Sequence, residues 1–213
     1  MSEFEERYRQ RADAAGAAEI AGRYRRRADA FGAKVAAVRD DQWGNPSPCE
    51  KWTARDVVQH IVDMHEVMLR PLGRGLSPAP GVAEDPGAAF RAARADVEAV
   101  LADPALSARE CDTPSGRLTA LQHIDQVVSQ DLPLHGWDLA RATGQDDTID
   151  PADVEAALSG VTAIPAETMR KLRTPGAFGP GVEVFGPEVE VGPDASAQDR
   201  LLGFIGRDPR WRP

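Results

Sequence analysis

Lysine is scarce in this chain, cysteine nearly absent, and no apolar run approaches the length of a membrane span. Each absence excludes something. With only Cys49 and Cys111 there is no disulfide framework, which suits a reducing cytoplasm. The first residues, MSEFEERYRQRADA, lack the hydrophobic segment of a secretory signal, so export is not expected and a cytoplasmic location is. Positive charge is in deficit: the net charge of −9 and the pI near 5.0 argue against non-specific nucleic-acid binding. Neither nucleic acid nor membrane is therefore an expected partner. Arginine, alanine, glycine and proline are plentiful instead, a bias that weakens any argument from arginine counts alone.

What is present reads as helix. The 213 residues suffice for one well-cored domain with a small appendage. A near-repeat, RYRQRADAAGA at 7–17 and RYRRRADAFGA at 23–33, is offset by 16 residues. That offset rotates a helix by about 160°, so the copies cannot share one face of one straight helix. Phe31, Val35 and Val38 continue the apolar stripe of the second copy, which places it in the core. The first copy becomes an extension, either exposed or used for association, as in a homodimer; coincidence in an Ala/Arg-rich helix is the competing reading.

The loop WGNPSPCEKW at 43–52 carries two prolines, and Thr53 with Asp56 forms a capping-box-like start for the helix ARDVVQHIVDMHEVMLR. Val57, Ile61, Met64 and Met68 make its inner stripe. A Gly/Pro-rich loop at 71–86 precedes a helix from Pro86 to Ala102. A fourth helix is predicted from Leu118 to Ala142, ended by Thr143-Gly144, and Asp150-Pro151 opens a fifth. VEVF-GP-EVEV at 182–191 alternates around a Gly-Pro turn and reads as a β-hairpin, and Ser196 caps a closing helix, AQDRLLGFI. The predicted fold is mainly α, a four-helix bundle with a small C-terminal β-hairpin and closing helix. Its divisions are a helical extension over 1–19, the bundle over 20–175 and the hairpin–helix appendage over 176–213.

The fourth predicted helix sets a problem. His135 and Asp138 lie within about 40° of Asp131, one to either side, in the middle of the stripe that Ile124, Val127 and Val128 mark as core-facing. A carboxylate there must be paired or bound to a cation. Two polar residues four apart on one face suit a metal clamp, and they equally suit a structural Asp–His hydrogen bond. Pro133 falls on the opposite face, where it frees the Ser129 carbonyl for water and bends the helix. A third ligand must come from elsewhere. His65 lies nearer the centre of its helix's apolar arc, His60 sits at the border, and periodicity leaves the choice open; His123 reads as a surface or second-layer histidine. Cys49 is suspected as a nucleophile but reads better as a structural residue beside Trp52, and Trp52 and Trp137 read as packing residues.

Three stretches, SPCEKWTARDVVQHIV at 47–62, DLPLHGWDLARATGQ at 131–145 and FGPEVEVGPDASAQDRLLGFIGRDP at 185–209, carry a family resemblance. Together they resemble an actinobacterial family of DinB-like metal-binding proteins related to the metal-binding domain of mycothiol-dependent maleylpyruvate isomerase. The resemblance covers most of the chain from about residue 20. It implies a DinB-like bundle whose divalent metal, zinc first and nickel next, is held by His60, Asp131 and His135. It further implies a transferase or isomerase dependent on mycothiol or a similar thiol, with the metal activating that thiol toward a small electrophile. Asp138 and Arg141 are the expected cofactor-binding residues, Asp138 by fixing a ligand or a pocket arginine. No side chain is given a catalytic role. The isomerase relatives have Glu at the position of Asp131 and a larger C-terminal domain, which points away from maleylpyruvate as substrate. The alternative is a non-catalytic protein that binds a small ligand or a structural metal.

Overall fold

Thr53 starts its helix as its position predicts. Its side chain accepts from the Asp56 amide while the Asp56 carboxylate accepts from the Thr53 amide, a closed capping box. The same logic places most helices. Asp85 caps a helix with Pro86 at its first position, Asp150 does so ahead of Pro151, and Ser196 caps the last helix. The computed structural model describes residues 16–113, 116–177 and 184–213. Within them the order is α1 (Ala17–Ala36), α2 (Ala54–Leu69), α3 (Pro86–Ala102), α4 (Pro104–Ser107), β1 (Glu110–Thr113), β2 (Gly116–Thr119), α5 (Ala120–Gln126) and α6 (Val128–Thr143). Then follow α7 (Pro151–Thr162), α8 (Ala166–Leu172) and α9 (Ala197–Phe204). Residues 1–15, most of the first repeat copy, lie outside the described residues.

The chain divides into two compact units, at Asp147 and Thr148. In the first, four long helices form the bundle. α1 packs on α6 and α3, and α2 packs on the same two, so α1 and α2 occupy opposite corners. Tyr24, Phe31, Ile61, Met68, Phe90, Val97, Ile124, Leu132 and Leu139 fill the space between them. The second repeat copy lies in the core as expected, with Tyr24, Ala28 and Phe31 buried. In the second unit α7 packs against α9.

Mainly helical with one small antiparallel hairpin is the architecture of the described residues, and that hairpin is in a different place. It joins β1 to β2, pairing Glu110 with Thr119 and Cys111 with Leu118, instead of lying at 182–191. The described residues 184–191 form no strand; 182 and 183 lie outside the described residues. Their backbone bonds go elsewhere: the Gly186 amide donates to the Ile205 carbonyl and the Val189 amide to the Gly203 carbonyl. The chain can approach α9 this closely because Gly203 has no side chain; a Cβ there would stand 2.6 Å from the Val189 carbonyl oxygen. Gly206, at φ +91, likewise meets the Gly186 backbone.

The predicted fourth helix is two. Thr119 and Gln122 make a second closed capping box, which starts α5, and the backbone breaks at Val127 (φ −111, ψ −89) before α6 begins. Angles counted from Ile124 across this break therefore do not hold. Asp131 consequently sits in the first turn of α6 and is half-exposed, where the helix N-terminus favours its charge. Pro133 remains inside α6, as predicted. The Ser129 carbonyl that it deprives of an amide is not hydrated from outside. Ser129 is fully buried, and Arg27 of α1, itself buried, donates to its carbonyl at 2.9 Å and to its Oγ at 3.1 Å. One turn earlier, Arg23 grips Asp125 through two bonds of 3.1 and 2.8 Å.

Arg27→Met should therefore cost about 2–4 kcal/mol, because a buried carbonyl loses a charged donor. In a Pro133→Ala background the helix regains its own amide for Ser129, so the same substitution should cost at least about 1 kcal/mol less. Chemical denaturation of the four proteins checks this, and equal costs in both backgrounds would disprove the link.

Candidate metal centre

Two facing helices and one loop build the site. The loop is held to the end of α6 by side chains that satisfy its last carbonyls. Gln42 Nε2 donates to Thr143 O at 2.7 Å and Asn45 Nδ2 to Ala142 O at 2.9 Å. Its own turn closes through the Ser47 amide to the Trp52 carbonyl and the Trp52 amide to the Cys49 carbonyl, with Lys51 in the left-handed region at φ 69. These bonds seat Cys49 and Trp52 beside α6 and lead directly into α2, which carries His60 one full turn and more beyond the cap.

The three expected ligands come together. One ligand atom each from His60, Asp131 and His135 lie within 4.8 Å of one another. His60 Nε2 stands 3.7 Å from Asp131 Oδ2, and the rings of His60 and His135 meet edge to face at 4.5 Å. Ligand atoms around one tetrahedral ion with bonds of about 2.0–2.1 Å stand about 3.3 Å apart, so small side-chain adjustments suffice. Two imidazoles and a carboxylate are a donor set that zinc and its neighbours accept. The residues present fit a divalent ion.

Behind them lies Asp138, wholly buried. Its Oδ2 is 2.9 Å from His135 Nδ1, the geometry of a carboxylate that holds an imidazole with its proton on Nδ1. Nε2 is then the nitrogen with a lone pair to offer. The same Oδ2 accepts from the Cys49 thiol at 3.2 Å, and Cys49 Sγ is 4.0 Å from His135 Nδ1. This contact spans 89 residues, and no local spacing announces it. Trp52 walls the site, its ring 4.9 Å from that of His60 and 5.8 Å from that of His135, stacked on the latter. Arg141 lies against Asp147, at 2.6 Å, and over the Trp137 ring.

The two other histidines are elsewhere. His65 is fully buried, with Nδ1 2.6 Å from the Ile61 carbonyl and Nε2 2.8 Å from the Tyr24 hydroxyl, so Nδ1–H donates and Nε2 accepts. Both nitrogens are thus engaged in the core. Periodicity placed His65 at the centre of the apolar arc correctly, and that position is structural. His123 is buried in α5, not at the surface, and burial lowers its pKa. It belongs to neither group of metal-competent residues found among the described residues.

Burial pushes the His65 pKa from 6.5 down to about 4, against smaller opposing effects of the Ile61 hydrogen bond and the Asp131 charge. The unfolded chain binds a proton that the folded chain refuses, so this part of the stability is complete above pH 6.5 and is lost as pH falls toward 4. His65→Gln, which retains a polar partner for Tyr24, should flatten the fall in melting temperature over that window. The wild-type excess loss should be on the order of 3 kcal/mol. Parallel melting curves for the two proteins across the window would contradict it.

No solved structure matches this chain. Two relatives in Mycobacterium tuberculosis do: uncharacterized protein MT0763 of strain CDC 1551 / Oshkosh and uncharacterized protein Rv0738 of strain ATCC 25618 / H37Rv. Each is 33% identical over 176 residues, covering 83% of this chain and 91% of the relative. Residues 24–140 match the family described as the mycothiol maleylpyruvate isomerase N-terminal domain. That span runs from Tyr24 in α1 past Asp138 in α6 and contains every residue of the candidate centre, and the chain belongs to this family.

Proposed function

We propose that this protein holds one divalent metal ion, zinc in the first instance, on His60, Asp131 and His135. With it the protein promotes attack by a low-molecular-weight thiol, mycothiol or a close analogue, on a small electrophile, as a transferase or isomerase. The observation that carries this reading is the convergence of the three ligands in front of a buried Asp138. When bound, the ion would hold the cofactor's sulfur as a thiolate.

The remaining work falls to the chain. Asp138 keeps the His135 proton on Nδ1 and the ring in one orientation. His60 and Asp131, with side chains 26% and 28% exposed, leave one side of the centre open to solvent. That opening favours a site that admits a further ligand over a closed structural site. Trp52 forms one wall and limits water there. Asp131 and His60 contribute one negative charge between them, so the ion would retain positive charge to attract an anionic sulfur.

Elemental analysis of purified protein should find close to one divalent metal per chain. His60→Ala and His135→Ala should lose it, while His123→Ala and His65→Gln should keep it. Asp131→Asn should weaken affinity at least about tenfold, while the metal-free protein melts near the wild-type temperature because Asp131 is half-exposed. Ion saturation should raise stability by about 4 kcal/mol at a thousandfold excess over Kd. Undiminished metal in His135→Ala would refute the centre. Metal without any thiol-dependent consumption of a panel of electrophiles would refute the enzymatic part.

A further inference from the structure

Asp138, His135 and Cys49 meet at the Nδ1 edge of the His135 ring, and we infer that they form a second metal-ligating set, selective for thiophilic divalent cations. This goes beyond the reading above, sharing His135 as a ligand with it and giving Asp138 a ligand role instead of a supporting one. One ligand atom from each lies within 4.8 Å of the others. The separations are 2.9 Å for His135 Nδ1 to Asp138 Oδ2, 3.2 Å for Cys49 Sγ to Asp138 Oδ2 and 4.0 Å for Cys49 Sγ to His135 Nδ1. Tetrahedral ligation with nitrogen and oxygen at about 2.1 Å and sulfur at about 2.3 Å sets these distances near 3.3–3.6 Å. Each pair is within about 0.5 Å of that.

Charge distinguishes the two sets. A thiolate and a carboxylate together neutralise a divalent ion, which is what a buried position demands: the Asp138 side chain is 0% and the His135 side chain 10% exposed. Two imidazoles and one carboxylate leave the other ion with net positive charge. Donor softness separates them too, since thiolate selects soft cations and imidazole with carboxylate suits borderline ones. Cys49, half-exposed, gives an entering ion its first handle.

Binding exchanges protons in a defined way. The cation forms a bond to Cys49 sulfur as the thiol proton leaves to solvent, one proton per ion. The ion also takes the Nδ1 lone pair, so the ring proton must sit on Nε2. An imidazole protonated on Nε2 cannot ligate the ion shared with His60 and Asp131. The two sets are mutually exclusive, and the tautomer of His135 selects between them.

Cadmium chloride titrated into the full-length metal-free protein tests this, read by the ultraviolet charge-transfer absorption of cadmium thiolate, as a difference against the metal-free protein, together with elemental analysis. The band should saturate at one cadmium per chain, persist in His60→Ala and Cys111→Ser, and vanish in Cys49→Ser. Asp138→Asn, a second route to the same set, should weaken cadmium binding at least about tenfold. Added to zinc-loaded protein, cadmium should release zinc as the band grows, with the total held at one ion. Absence of the band in wild type, its survival in Cys49→Ser, its loss in His60→Ala, or two ions bound together would each overturn the inference. Zinc binding lost in His60→Ala alongside a missing cadmium band leaves the first centre standing and removes only this one. A cadmium band in a protein that never binds zinc does the reverse.

Discussion

A single carbonyl oxygen organises the bundle. Pro133 has no amide to give to Ser129, and Ser129 is sealed from water, so its carbonyl must find a donor within the protein. Arg27 supplies it from another helix. The carbonyl can be buried because it has the guanidinium, and the buried guanidinium bonds in return to this carbonyl and to the Ser129 hydroxyl. α1 is thereby fixed against α6 in one register, with Arg23 and Asp125 repeating the constraint a turn away. Everything of chemical interest then hangs on α6, which presents Asp131, His135 and Asp138 toward α2 and the loop before it.

Polar groups are graded by depth along that face. Asp131, in the first turn, faces partly outward; His135 is nearly buried; Asp138 is sealed. The deepest charge has the most directional partners, an imidazole and a thiol, and the shallowest has the helix terminus, solvent and the more distant His60 ring. Such grading lets a helix carry three ionisable groups through an apolar bundle without an unpaired buried charge. It also explains why the site has one open side and one closed side.

Much of this was legible in the sequence, where local chemistry decides the outcome. Thr53, Asp85, Asp150 and Ser196 start helices because each supplies an acceptor where the first amides need one. The convergence of His60, Asp131 and His135 follows from the family resemblance. The break at Val127 carries no side-chain cap to announce it, and reading the run as one helix misplaced the Asp131 face. The hairpin was sought where Val and Glu alternate. In the described part of that segment the Gly186 and Val189 amides bond instead to the backbone at 205 and 203, an approach for which Gly203 and Gly206 leave room. Neither the Cys49–Asp138 contact nor the Tyr24–His65 bond could be read, because each joins residues that tertiary packing alone brings together.

The distance along the chain between these partners has a consequence for synthesis. Arg27 and Ser129 are 102 residues apart, and Cys49 and Asp138 are 89 apart. At about 5–20 residues per second, a ribosome that has released α1 needs on the order of 5–20 s to make the residue its arginine requires. During that interval the first three long helices have no fourth wall, and an apolar face that will end in the core is turned to whatever surrounds the nascent chain. The bundle can close only when α6 emerges, so the newborn protein depends on whatever shields that face until then.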